Sequence, residues 1–182
     1  AEAAGVTSRL SFDGIQTAAG NFDLSDASVA SVSWSGIGQY TDLINPCQYM
    51  TFMGMIANGG SAANPYLMQE VRRGDRTRYE AETTMLDSGL SSVTTSKIAD
   101  MMHDNVVNSY GTSLFPDVRV CAKSGTAETS ADKEPNAMFT GFVQDDRYPL
   151  AFIVVVEEGG YGSQTAAPIA GQVLSACIES MG

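Results

Sequence analysis

Histidine is almost absent. The 182 residues contain one, His103, which excludes a His-rich metal site and leaves any Ser-His-Asp triad dependent on a single residue. The three cysteines, Cys47, Cys121 and Cys177, lie far apart with no CxxC among them, so neither a zinc motif nor a dithiol redox pair is present. No metal and no cofactor are expected. Positive charge is also scarce: ten Lys and Arg stand against 21 Asp and Glu, a net charge of −11. Nucleic acid and anionic membrane surfaces would repel such a chain, and neither is an expected partner. No apolar run is long enough to cross a bilayer. The opening AEAAGVTSRL has neither the basic start nor the apolar stretch of a signal peptide, so any targeting segment is expected outside this chain. No repeat of solenoid length occurs.

What remains is ordinary globular material, 43% hydrophobic and long enough for one domain with a real core. Its most informative stretch is Val118–Glu128, VRVCAKSGTAE. Val118, Val120 and Ala122 alternate with Arg119, Cys121 and Lys123, which predicts a half-buried strand over Val118–Ser124. Lys123 and Gly125 share a face, so a cation sits beside a position with no side chain, where another element can come close. Ser124 and Thr126 add two hydroxyls and their backbone N–H groups. A cation, hydroxyls and N–H donors on one rigid edge suit an anionic substrate or a developing oxyanion. A phosphate-binding loop does not fit, because Ala122 precedes Lys123 and no glycine lies between Gly111 and Gly125. A plain edge strand with a solvated lysine fits the same four residues equally well.

Along the rest of the chain, residues 1–36 read as loops and short turns. A helix is predicted after Asn45 as cap and Pro46 as first residue, with Tyr49, Phe52, Met53, Met55 and Ile56 as its apolar stripe and Asn58-Gly59-Gly60 as its stop. Asn64–Glu70 reads as a strand and Arg72–Glu82 as an exposed, charged turn or hairpin. Ser91 or Ser92 caps a helix over Thr94–Tyr110, with Ile98, Met101, Met102 and Val106 on one face and His103 at its boundary. Thr129–Pro135 reads as a polar loop, so the Ser-x-x-Lys spacing of Ser130 and Lys133 lacks the helix it would need. Ala137–Val143 and Leu150–Glu157 are the strongest strands, the second apolar on both faces and expected to be covered on both. A last helix begins at Thr165 and Pro168, with Ile169, Val173, Ala176 and Cys177 as the buried stripe. The expected fold class is α+β: an antiparallel sheet with a packed C-terminal helix and additional helices.

In order and spacing these pieces resemble the C-terminal part of a penicillin-binding transpeptidase domain, of the serine β-lactamase and DD-transpeptidase superfamily. Gly38-Gln39, Pro46, Gln48, Ala57-Asn58-Gly59-Gly60 and Pro65 resemble the family's GQ…TP-Q…ANGG…P segment, and Lys123-Ser124-Gly125-Thr126 its KTG/KSG motif. Ala137–Phe142, Leu150–Glu157 and Ala166–Ile169 resemble the strands and closing helix that follow. The resemblance covers nearly everything beyond about residue 35. It implies that residues 1–182 are the C-terminal portion of one such domain, in a protein anchored in the cell membrane outside this chain and facing away from the cytoplasm. It also implies Lys123 and Thr126 as catalytic, Ser124, Gly125 and Thr126 as substrate-binding, and peptidoglycan stem peptides and β-lactams as ligands. Lys123 would support proton relay, Ser124 and Thr126 would hold a terminal carboxylate, and the Thr126 N–H would be half of the oxyanion hole. The family's nucleophilic Ser-x-x-Lys and its Ser-x-Asn normally precede the GQ segment; no Ser-x-Asn occurs here. The chain alone is therefore expected to be inactive, with the N-terminal part of the domain as its partner. It is also expected to self-associate, through an exposed Leu150–Glu157 edge and through the uncovered faces of its two long helices. The GQ…ANGG segment favours a transpeptidase over a serine β-lactamase or β-lactam sensor; a non-catalytic remnant serving as a binding module is a further reading.

Overall fold

The computed structural model describes residues 2–182 and is an α+β domain, as expected. Its N-terminal region holds more than loops. Ser11–Phe12 (β1) and Ile15–Gln16 (β2) close a small antiparallel hairpin, and Val29–Ser35 is a helix, α1. Ser28 caps α1 by accepting from the Ser31 N–H at 3.1 Å. The sequence hid this helix because it has no buried stripe: Val29 is 88% and Trp34 54% exposed, so the apolar periodicity that marks a helix is missing.

The next helix, α2 (Pro46–Ala57), follows its signals. Asn45 Oδ1 accepts from the Cys47 N–H at 3.0 Å, and Pro46 takes the first turn, where its missing N–H costs nothing. The chain leaves through Gly59 and Gly60, both at positive φ, with the Gly60 N–H returned to the Met55 carbonyl at 2.8 Å. The strand expected over Asn64–Glu70 does not form. Ser61–Ala63 (β3) is the strand, and the Asn64 N–H makes one more bond, to Thr84 O at 2.7 Å, before Pro65, which has no N–H to continue the ladder. Glu70–Arg73 (β4) and Arg76–Glu80 (β5) form the exposed charged hairpin, starting two residues earlier than expected. Met85–Asp87 (β6) then returns to pair with β3.

Helix α3 (Ser92–Asn105) is capped by Ser91, whose hydroxyl oxygen accepts from the Thr94 N–H at 3.2 Å. It runs into a single π-helical turn, Val106–Tyr110, that ends at Gly111 with φ 90°. The buried face is Thr95, Ala99, Met102 and Val106, while Met101, expected in the core, is 60% exposed. Met102 and Val106 of the expected face are thus buried and Ile98 packs beside them; only Met101 turns outward, and the small Ala99 takes the contact instead. The last helix, α4 (Ala166–Met181), shows the same physics. Its buried residues are Ala166, Ala167, Ala170, Gly171 and Leu174, whereas Ile169 and Val173 of the expected stripe are 39% and 49% exposed. Close approach explains the choice: a Cβ on Gly171 would lie 1.9 Å from Leu114 O. Thr165 gives α4 no side-chain cap; its hydroxyl donates to Gly159 O at 2.7 Å.

Between α3 and α4 runs a three-stranded antiparallel meander of Val120–Ala127 (β7), Asn136–Val143 (β8) and Ala151–Val156 (β9), in that spatial order. Strand β7 begins two residues later than expected and continues through the whole Lys-Ser-Gly-Thr motif. One sheet face carries Val120, Ala122, Phe139, Phe152 and the small side chains of α4; the other carries Cys121 and Phe142 against Met53, Ile56, Ala99 and Met102 of α2 and α3. Strand β9 is thus an edge, as expected, and is covered on both faces. The helix faces expected to lie open are not: those of α2 and α3 close on each other and on the sheet, so they do not form the apolar patch expected to drive self-association. Burial pushes the Cys121 thiol up to about 11, which keeps it protonated.

Phe139 is the hub of the first core. It is fully buried, with the rings of Tyr110, Phe115 and Phe152 at 5.0, 5.7 and 6.1 Å. In the intact protein, Phe139→Ala is expected to cost about 3–5 kcal/mol of stability, the range for a large aromatic removed from a well-packed core. Chemical denaturation checks this; a loss below about 1 kcal/mol would show that the site collapses freely.

Candidate active site

Strand β7 carries the motif along the rim of a cleft of about 550 Å³. Strand alternation and the β7–β8 register put Lys123 opposite Thr140 and Gly125 opposite Met138, on the face that α2 and α3 cover; Ser124 lies opposite Phe139 on the other face. Lys123 is exposed, and its Nζ donates to Ser124 O. Among the described residues no carboxylate pairs with it, although Arg72, Arg119, Lys133 and Arg147 each have an acidic partner. The nearest atom to a Cβ on Gly125 would be Met138 Cβ at 3.3 Å, so the bare backbone of Gly125 lies beside the Met138 side chain at the cleft.

Among the described residues no strand pairs with the outer edge of β7, and side chains occupy it. The Ser124 N–H donates to the Tyr110 hydroxyl at 2.9 Å, so Ser124 is a residue whose backbone points off the sheet. In an antiparallel ladder such residues alternate, so Val120, Ala122 and Thr126 also point outward. The contacts agree. Val120 O accepts from His103 Nδ1 at 2.8 Å, and Thr126 O accepts from Gln39 Nε2 at 3.2 Å. A carbonyl can only accept, so the imidazole carries its proton on Nδ1. The Thr126 N–H is therefore directed along the same open edge, into the cleft. The Thr126 hydroxyl oxygen accepts from the Gly162 N–H at 3.4 Å, and the Tyr110 hydroxyl donates to Ser124 Oγ at 3.1 Å. This arrangement offers a fixed cation, a directed N–H and two oriented hydroxyls to an anion or a polarised carbonyl.

Opposite β7 the cleft is lined by Phe22, Ile37, Gln39, Asp42, Tyr49 and Phe52. Burial raises the Tyr49 phenol above its ordinary value and keeps it neutral. Asp42 Oδ2 accepts from the Ser35 hydroxyl at 2.7 Å, while its Oδ1 is buried with no partner among the described residues.

The four motif residues therefore come together as the sequence predicts. His103 lies at the other end of β7, half-buried, and takes no place in the cleft. Ser130 and Lys133 are apart from it too: the Ser130 hydroxyl donates to Asp132, and Lys133 Nζ pairs with Glu158 at 2.6 Å. Sequence reasoning gave no role to Tyr110, Gly162 or Asp42, and noted Gln39 only as part of a pattern. Tyr110 reaches Ser124 through the π-turn, which leaves no periodic trace in the sequence. For Gly162, the glycine-rich loop before α4 was the available signal.

A family model described as the penicillin binding protein transpeptidase domain matches residues 2–175. The chain is 30% identical over 158 residues to the peptidoglycan D,D-transpeptidase MrdA of Haemophilus influenzae, covering 76% of this chain and 24% of that protein. It is 28% identical over 161 residues to the peptidoglycan D,D-transpeptidase PbpA of Mycolicibacterium smegmatis, covering 82% of this chain and 32% of that one. Among solved structures, PBPA from Mycobacterium tuberculosis superposes with a TM-score of 0.86 at 24% identity, over 97% of this chain and 44% of that one. The D,D-transpeptidase domain of a peptidoglycan glycosyltransferase from Eggerthella lenta gives 0.85 at 23% identity, over 100% and 46%. The chain thus spans about a quarter to a third of the length of these curated relatives.

Proposed function

The chain belongs to the penicillin-binding-protein transpeptidase family, and from that premise we propose that it is the C-terminal portion of a peptidoglycan DD-transpeptidase domain. The observation that carries this reading is β7: an unpaired Lys123, an outward Thr126 N–H and two hydroxyls on one rim of one cleft. In this reading a serine from the preceding part of the domain attacks the D-Ala-D-Ala amide of a stem peptide, and the acyl group then passes to an amine, forming a cross-link; β-lactams acylate the same serine. Lys123 supplies positive charge and supports proton relay. Ser124 and Thr126 hold the terminal carboxylate, and the Thr126 N–H stabilises the oxyanion as charge develops. Gly125, with no Cβ, leaves room for the nucleophile's helix. The exposed Ile37 and Leu43 at the cleft suit a surface that the missing part of the domain covers.

No helix among the described residues is long and apolar enough to cross a membrane; in this reading the anchor lies outside the chain and the site faces away from the cytoplasm. One other reading is a remnant that binds without catalysis; a Ser-x-x-Lys and a Ser-x-Asn in order in the preceding part of the protein would speak for the enzyme, their absence there for the remnant. Labelling of the full-length protein by a fluorescent penicillin, reduced by an unlabelled D-Ala-D-Ala peptide, is the expected result. A full-length protein that takes up no label, and that has no Ser-x-x-Lys and Ser-x-Asn upstream, would establish the remnant instead.

A further inference from the structure

We propose that Tyr110 is a positioning residue for carboxylate recognition, setting the direction in which Ser124 donates; this rests on the reading of β7 as the substrate-anchoring strand. The Ser124 N–H donates to the Tyr110 hydroxyl at 2.9 Å, and that hydroxyl donates to Ser124 Oγ at 3.1 Å. An N–H can only donate, so the phenol oxygen accepts there and its single proton goes to Ser124 Oγ. One lone pair of the serine oxygen is then occupied, and the bond fixes the hydroxyl so that its own proton is free to donate, the correct complement to an acceptor-only carboxylate. The three groups form a chain, N–H to O–H to O–H, polarised in one sense and ending on the rim beside Lys123.

The placement of Tyr110 is built into the fold. The π-turn Val106–Tyr110 widens the end of α3, and Gly111 at φ 90° stops it, with its N–H on Val106 O at 3.0 Å. Such turns re-aim side chains that a regular helix would direct elsewhere. The ring stands edge-on to Phe139 at 5.0 Å and 76°, so the phenol reaches Ser124 from a packed base.

Tyr110→Phe removes the hydroxyl and keeps the ring on Phe139. In the full-length protein, acylation is measured with a penicillin and with its carboxylate methyl ester, which has the same reactive ring and no anion. The free acid is expected to lose about tenfold in acylation rate, through weaker binding before the covalent step, the scale of one hydrogen bond to a charged group. The ester is expected to change less than about twofold. In a Ser124→Ala background, Tyr110→Phe should have no further effect, since the group it orients is gone. Equal losses for acid and ester, or an undiminished loss in the Ser124→Ala background, would overturn the assignment and make Tyr110 a support for the strand. A wild-type protein acylated by neither probe would sink the transpeptidase reading and this assignment together; a wild type acylated by both, with a Tyr110→Phe variant that loses both alike, sinks the assignment alone.

Discussion

Mixed with a fluorescent penicillin, the isolated 182-residue chain will take up no covalent label, while the full-length protein is labelled at a serine outside it. Placement cannot replace an attacking oxygen. The only Ser-x-x-Lys in the chain is Ser130 to Lys133, and its chemistry is already committed elsewhere. Lys133 Nζ pairs with Glu158 at 2.6 Å, and the Ser130 hydroxyl donates to Asp132, in an exposed loop rather than on a helix. The ion pair directs Lys133 Nζ at Glu158 rather than at Ser130. Ser124 lies in the cleft, but its oxygen accepts from Tyr110, and among the described residues no carboxylate, imidazole or lysine hydrogen-bonds its hydroxyl. Gel fluorescence followed by peptide mapping decides the matter. An adduct on Ser130 would mean that the loop reorganises to release Lys133; an adduct on Ser124 would mean that β7 carries a nucleophile of its own.

In the full-length protein, Lys123→Ala is expected to slow acylation by about 10²–10³-fold, the effect of deleting one preorganised group that stabilises developing charge, roughly 3–4 kcal/mol. Stability should change by less than about 0.5 kcal/mol, because the side chain is exposed and its one hydrogen bond is to a neighbouring carbonyl. The two measurements must be read together. A large loss of acylation with an unchanged denaturation midpoint assigns the effect to the site. Unchanged acylation would remove Lys123 from any catalytic role and return β7 to an edge strand with a solvated lysine. Ser124→Ala should be milder, since Thr126 keeps a second hydroxyl on the same rim.

The parts of this fold that were legible in sequence were those whose signals are local. Asn45, Pro46 and the Gly59-Gly60 pair mark both ends of α2, and two apolar runs with a turn cluster between them mark β8 and β9. What escaped depends on pairing or on close approach. The β3–β6 pair joins Ser61 to Asp87 across an intervening hairpin, a register that no local pattern encodes. The buried face of α4, and the place of Ala99 rather than Met101 on that of α3, escaped because large apolar side chains carry the periodic signal, while Ala99 and Gly171 bring backbones close by being small. At the cleft, Lys123, Ser124, Gly125 and Thr126 stand out in the sequence because they are four adjacent residues of one motif. Tyr110 and Gln39 do not, because their partners lie 14 and 87 residues away and only the folded edge brings them together.

Gly162 limits how this site can change over generations. A Cβ there would lie 2.3 Å from both Gly125 O and Met138 O, so the loop rests directly on the paired backbones of β7 and β8 at the motif. The same residue's N–H reaches the Thr126 hydroxyl. Any larger residue must displace either the loop, with its N–H on the Thr126 hydroxyl, or β7 itself, and both disturb the motif. A lineage under selection to loosen its hold on an inhibitor while keeping its natural ligand needs small, separable adjustments. Behind the motif such adjustments are coupled, and heritable change of that kind enters more readily from the opposite wall, at Phe22 and Ile37, leaving the Gln39 bond to Thr126 O in place.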